Sequence, residues 1–272
     1  AHNMVVNWIA VTDPPKNPAL QTLLETILAQ NSGTDGESTS SSTNAELEKA
    51  VSKFVHANGT EAADTNGQTL LHASASAGNE RLVRYLLGKG ARLNAADEHG
   101  WTALLCAVSA GHLGLALELL ESGADGTVVT ESGSNGLHYL ARWPSKTDKY
   151  KELLKGLLDA GCDPNGYNND GDTAVNVFCQ RGGSAETVEL LLERGGSVSV
   201  ANQHGYSPLH AAVANNSVDL VRLLCKHGAD PNFVASADVG SPYAMALAQK
   251  RTEKYLRKQR HLANLKWEAE HR

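Results

Sequence analysis

Apolar and polar positions along the chain alternate between two kinds of run. One is short and built of small residues, as in Ala73, Ala75 and Ala77. The other is amphipathic, as in Leu82, Val83, Leu86 and Leu87, whose spacing puts the aliphatic side chains on one face of a helix. Polar stretches rich in Asp, Asn and Gly separate these pairs. They open on Asp64, Asp97 or Asn202, whose side chains can bond nearby backbone N–H groups, and a glycine follows three residues later. Thr69, Thr102, Thr173 and Ser207 then stand where a helix needs an N-cap oxygen. Pro208 directly follows its cap, where no N–H is required. The pattern predicts a tight turn, a short helix of small residues and a longer amphipathic helix that ends on glycine, repeated along the chain.

Two glycine series fix the period. Gly67, Gly100, Gly133, Gly171, Gly205 and Gly240, each at a turn, are separated by 33, 33, 38, 34 and 35 residues. Gly90, Gly123, Gly161, Gly195 and Gly228, each after a leucine-containing helix, are separated by 33, 38, 34 and 33. Both series share one period and one irregularity. Residues 64–96, DTNGQTLLHASASAGNERLVRYLLGKGARLNAA, and residues 202–232, NQHGYSPLHAAVANNSVDLVRLLCKHGADPN, show the unit most clearly.

These segments resemble the ankyrin repeat, whose unit is a turn and two antiparallel helices of about 33 residues. The resemblance implies an all-α fold: a solenoid of stacked helix-turn-helix units with β-hairpin-like turns. Five repeats are read, at 64–96, 97–129, 130–167, 168–201 and 202–233, within a repeat domain at 45–250 that includes degenerate caps. One unit cannot cover its own apolar face, so stability comes from the interfaces between neighbours. Repeat 3 departs most, with Asn135-Gly136-Leu137-His138 at the start of its first helix and five extra residues within 144–150. Pro144 is expected to stop the first helix, leaving an exposed excursion. Repeat 4 is also imperfect, at Thr173-Ala174-Val175-Asn176.

The ends read differently. Residues 1–30 form an apolar N-terminal segment, docked on the repeats or belonging to an upstream domain, with a helix-like face at Leu20, Leu23, Leu24, Ile27 and Leu28. Residues 31–44, NSGTDGESTSSSTN, read as a disordered linker. Residues 45–57 resemble the second helix of a half-repeat. Residues 251–272 read as a basic C-terminal helix that caps the stack or leads into a following domain.

Composition narrows the function classes. The formal net charge is −6, and residues 250–272 carry eight Lys/Arg and three Glu, so an acidic body precedes a basic tail. That balance argues against nucleic acid as the partner. No run approaches the length of a transmembrane helix. The four cysteines, Cys106, Cys162, Cys179 and Cys225, contain no CxxC pair, and read as reduced thiols of an intracellular protein in the cytoplasm or nucleus. No G-x-S-x-G, H-E-x-x-H or P-loop occurs, so no catalytic, cofactor or metal residues are assigned. His72, His138 and His210 recur at one repeat position, and the resemblance implies a structural hydrogen-bonding role for them. Asn58-Gly59-Thr60 and Asn215-Asn216-Ser217 match a glycosylation sequon and are read as accidental.

What remains is surface, and the expected function is a monomeric, non-catalytic protein-interaction module. The alternative is the regulatory ankyrin region of a larger multidomain enzyme or trafficking/signalling regulator, docking on a neighbouring domain. The resemblance implies that a partner segment lies in a concave groove of repeats 2–5, lined by turn tips and the exposed side of the first helix. Carried onto this chain, the candidates are Glu98, His99, Trp101, Ser134, Asp172, His204 and Tyr206 at the turns, with Arg142, Trp143, Gln180 and Arg181 on the helices. Aromatic and Arg side chains dominate interface hot spots, which singles out Trp101, Trp143, Tyr206, Arg142 and Arg181. Asn94, Asn165 and Asn232, each eight residues after a leucine, resemble acceptors of cytosolic asparaginyl hydroxylation.

Overall fold

The structure, a computed structural model, describes residues 17–29, 41–143, 147–234, 239–247, 256–257 and 260–261, with 41–44 and 247 by backbone alone. It divides into two compact units, residues 1–131 and 132–272. Both are all-α, and no strand is present among the described residues. The only ladder-like pairs described are single antiparallel bridges, Ala63 with Thr69 and Tyr167 with Thr173, at the base of hairpin turns.

The first unit contains α1 (Pro18–Ala29), α2 (Ser41–Asn58), α3 (Leu70–Ser76), α4 (Glu80–Gly88), α5 (Ala103–Ala110) and α6 (Leu113–Glu121). Helix α3 packs on α4 and α5, and α5 on α6. Helix α1 packs on α3 and α2, so it holds the place of a first helix before α2. Leu20, Leu24 and Ile27 are buried by this packing. Ser41–Asn44, read from sequence as linker, form the first turn of α2. The rest of the 31–44 linker, and Val5–Val11, lie outside the described residues.

The second unit contains α7 (Gly136–Leu140), α8 (Asp148–Asp159), α9 (Ala174–Gln180), α10 (Ala185–Glu193), α11 (Pro208–Ala214), α12 (Val218–Lys226) and α13 (Pro242–Leu247). The first helices α7, α9, α11 and α13 pack side by side, and α8, α10 and α12 sit on their outer flank. Beyond α13, Leu256 is fully buried and the Arg260 guanidinium lies 4.5 Å from the centroid of Tyr243. The remainder of the 251–272 segment lies outside the described residues apart from Arg257 and His261.

Helix ends follow the residues that cause them. The side-chain oxygens of Thr102, Thr173 and Ser207 accept the N–H three residues on. In repeat 3, Asn135 does the same work, accepting from Leu137 N and His138 N. The second helices share one exit: Ala91 N donates to Leu86 O and Gly90 N to Leu87 O, and the same pair recurs at Ala124/Gly123, Cys162/Gly161, Gly196/Gly195 and Ala229/Gly228. This is a Schellman ending, which needs a left-handed residue.

Repeat 3 corrects one expectation. Pro144–Tyr150 is not wholly an exposed excursion, because Asp148–Tyr150 form the first turn of α8, capped by Thr147. Tyr150 is 1 % exposed and its hydroxyl donates to Leu140 O at 3.3 Å. Helix α7 is only five residues long, and the phenol fills space beside it. Pro144 itself lies outside the described residues, and α7 has already ended at Leu140. All four cysteines are free, and burial raises their thiol pKa values, Cys162 to about 11 and Cys179 to about 12.

Candidate protein-binding surface

Four hairpin turns are each built around one side chain. Asp64 Oδ1 accepts from Asn66 N and Gln68 N at 2.8 and 2.9 Å. Asp97, Asn168 and Asn202 repeat that pair of bonds to the residues two and four ahead. The tips are then joined backbone to backbone. In the first unit Glu98 N donates to Asn66 O and Glu131 N to His99 O; in the second Asn169 N donates to Ser132 O and Gln203 N to Asp170 O. The closeness of these contacts makes glycine necessary: a Cβ at Gly100, where φ is +77°, would lie 2.7 Å from Val129 O.

Beneath the tips, the recurring histidine locks each turn to the next. His72 Nδ1 accepts from Thr69 N, and Nε2 donates to Ala95 O and Trp101 O, both at 3.0 Å. The ring is therefore neutral with its proton on Nε2, and burial holds its pKa below the ordinary value. His138 and His210 are bonded in the same way to their caps, and reach Asp172 O and Gly240 O. In repeat 4, Asn176 stands in this place, and its Nδ2 reaches the equivalent carbonyls, Val200 O and Tyr206 O. The departure of repeat 4 is thus an amide doing the work of an imidazole.

The candidate residues divide by exposure. Glu98, His99, Arg142, Trp143, Gln180, Arg181, His204 and Tyr206 are exposed, whereas Trp101 and Ser134 are half-buried. His99 Nδ1 pairs with Glu131 at 2.8 Å, which raises its pKa. Asp172, expected at an exposed tip, is 6 % exposed. Its Oδ1 accepts from Gln180 Nε2 and Asn202 Nδ2, both at 2.8 Å, because an acid next to the turn glycine is the nearest acceptor for these amides. Gln180, though exposed, is thereby partly committed within the fold. Asn215, an exposed residue, spends its amide on Cys179 O and Gln180 O, and Asn58 bonds Phe54 O, so neither sequon carries an idle amide.

Asn94 and Asn165 bridge repeats. Asn94 Nδ2 donates to Gly123 O, and its Oδ1 accepts from Asp125 N; Asn165 does the same with Gly195 O and Ser197 N. Asn232, by contrast, shows among the described residues only a backbone N–H bond to Asp230 Oδ1.

Sequence reasoning missed four exposed apolar residues. Tyr167 is 71 % exposed, Val234 54 %, Val129 50 % and Val200 36 %. Val129, Tyr167 and Val200 lie in segments that lead into hairpin turns, and Val234 lies in the connection after α12. Val129, Tyr167 and Val234 each stand six residues after the glycine that ends a second helix, and that register was the available signal. The second-helix flanks look different, carrying exposed ion pairs between repeats: Arg81–Glu48, Arg84–Glu118, Lys151–Glu186, Arg194–Asp159 and Lys226–Glu189. Each is worth at most about 1 kcal/mol.

Among the described residues, no group of His, Cys, Asp and Glu is arranged to hold a metal, and no helix is long and apolar enough to cross a membrane. A family model described as ankyrin repeats, in three copies, matches residues 41–130 and 137–235. The chain belongs to the ankyrin repeat family. Among similar ankyrin-repeat relatives, the human BCL-6 corepressor-like protein 1 is 36 % identical over 122 residues, 44 % of this chain and 7 % of that protein. The mouse B-cell lymphoma 3 protein homolog is 41 % identical over 81 residues, 29 % of this chain and 18 % of the relative. The pig NF-kappa-B inhibitor alpha is 33 % identical over 86 residues, 30 % and 27 %. The chain thus spans less than a third of each relative's length. Ankyrin repeats generally mediate protein–protein interaction, and these relatives include a corepressor-like protein and an inhibitor.

Proposed function

We propose that this chain is a non-catalytic protein-binding module of the cytoplasm or nucleus, and that it seats a partner segment on the turn tips and first-helix ends of its repeats. One observation carries the reading. Among the described residues, the exposed large hydrophobics are Val129, Trp143, Tyr167, Val200, Tyr206 and Val234, and all lie in the connections between repeats or just past a first helix. None lies on a second helix, where ion pairs face solvent. Exposed apolar groups concentrated in one kind of segment mark contact surfaces. Trp143 and Arg181 at first-helix ends, and Trp101 and Tyr206 at turns, supply side chains of the hot-spot type.

The test is photo-crosslinking from position 143 to identify a partner, followed by binding measurements with a Trp101→Ala/Trp143→Ala variant. Weakening by at least about 2 kcal/mol, with unchanged circular dichroism, is the expected result. Unchanged affinity overturns the surface assignment. A second reading, a regulatory region docking on a neighbouring domain of a longer protein, is favoured by the small share of each relative that this chain covers. Crosslinks from position 143 into flanking sequence of the longer gene product would select it.

A further inference from the structure

In the second unit, charge and exposed apolar surface are sorted onto the same segments. The connections 161–173, 195–207 and 228–234 contain Asp163, Asp170, Asp172 and Asp230, and neither Lys nor Arg. Asp163, Asp170 and Asp230 are exposed. The same connections hold Tyr167, Val200, Tyr206 and Val234, the exposed apolar residues named above. The described cations of this unit stand elsewhere: Lys149, Lys151, Lys155, Arg194, Arg222 and Lys226 on the second helices or their ends, Arg142 and Arg181 at first-helix ends, and Arg257 and Arg260 beyond α13.

These connections are tied to one another. Gln203 N bonds Asp170 O, Ser197 N bonds Asn165 Oδ1, and Asn202 Nδ2 bonds Asp172 Oδ1, tying the first connection to the second. The His210 ring packs edge-on between Tyr206, at 5.9 Å, and Phe233, at 6.5 Å, tying the second to the third. The surface therefore offers pre-positioned phenol and aliphatic groups in a field of one sign. A pre-ordered surface loses little entropy on binding, and a negative field selects cationic partners and speeds their approach. Exposed tyrosine faces also attract ammonium and guanidinium groups.

Resting on the protein-binding reading above, we infer that this hairpin face of the second unit binds an extended partner segment in which Lys or Arg alternates with apolar residues. Anionic partners, nucleic acid among them, are repelled by the same field.

The test uses the full chain and a fluorescein-labelled peptide of three Lys-Leu-Arg-Trp repeats, with a twin in which every Lys and Arg is Glu. The basic peptide should bind, its affinity should fall with added salt, and the acidic twin should not bind. Asp163→Asn/Asp170→Asn/Asp230→Asn should weaken binding at low salt by about tenfold or more. Asn retains the Oδ1 that accepts Asn165 N and Asn232 N, so the turns persist. Tyr167→Ser/Tyr206→Ser should also weaken it by about tenfold or more. Equal binding of the acidic twin, or wild-type affinity in both variants, overturns the inference. A loss confined to Trp143→Ala/Arg181→Ala overturns it too, while leaving the protein-binding reading intact. Binding that appears only when Lys254, Lys258 and Lys266 are changed to Glu assigns the surface to the chain's own basic end, and overturns a partner in trans.

Discussion

Asn165 and Ser197, in successive repeats, are joined by a hydrogen bond of 2.8 Å from the Ser197 N–H to the Asn165 carboxamide oxygen. The other end of the same carboxamide donates to Gly195 O at 2.8 Å. A planar group with one donor and one acceptor thus spans two repeats, and Asn94 repeats the arrangement with Asp125 and Gly123. Aspartate cannot replace it, because a carboxylate would face the Gly195 carbonyl with no proton to offer. Asn165→Asp should destabilise the fold by about 1–2 kcal/mol, read as a fall in melting temperature, while Asn165→Gln should not restore it.

The same bridge orders the candidate hydroxylation sites. An asparaginyl hydroxylase needs an extended, opened backbone, and opening is easiest where fewest bonds must break. Irregularity of repeat 3 alone favours Asn165, but Asn165 holds two bonds to the next repeat. Asn232 shows none from its side chain among the described residues. Incubation with such a hydroxylase and peptide mass spectrometry should place the added oxygen first on Asn232. First modification of Asn165 would contradict this order.

Acid should loosen the repeats. Burial depresses the folded pKa of His72 and His138 below the ordinary 6.5. The unfolded chain then binds protons that the folded chain excludes, so stability present above pH 6.5 is lost as pH falls below it. Each such ring contributes a slope of up to about 1.4 kcal/mol per pH unit. His99, raised by its bond to Glu131, acts with the opposite sign but is exposed and screened. Urea midpoints should fall between pH 7.5 and 5.5, and less so in His138→Asn, the residue type that Asn176 already supplies at this place.

Two glycines with similar backbone angles should respond differently to substitution. Gly100, at φ +77°, would place a Cβ against Val129 O, whereas Gly90, at φ +87°, has nothing within 4 Å. Gly90→Ala meets only the left-handed penalty of about 1 kcal/mol. Gly100→Ala adds a clash with the neighbouring hairpin, and should cost about 2–3 kcal/mol. Equal melting temperatures for the two variants would refute the role of the close approach.

Tyr150 should behave as a core residue. Tyr150→Ala is expected to cost about 3–5 kcal/mol, the range for emptying a buried aromatic site. Tyr150→Phe, which gives up only the bond to Leu140 O, should cost about 1 kcal/mol. Both are readable by denaturant titration. A deletion of residues 144–147 should be far milder than one reaching Tyr150.

The repeat, its caps and its turn residues were legible because they are local. A threonine before a helix, a glycine needing positive φ and a leucine pair on one face act within a few residues of each other, and their period repeats the evidence. The sequence by itself thus determined the all-α repeat, its register, the structural histidines and the absence of any recognisable catalytic motif. Tertiary structure decided what contact between repeats decides. It turned Asp172 inward, because Gln180 and Asn202 converge on its oxygen from eight and thirty residues away. It drew Tyr150 into the gap beside the short α7, and set α1 against α3 across a long intervening segment. It left Tyr167 in solvent, since a residue entering a hairpin is covered only if a neighbouring repeat reaches it. Such outcomes depend on side chains a full repeat apart in sequence, where no local spacing rule specifies which neighbour will be met.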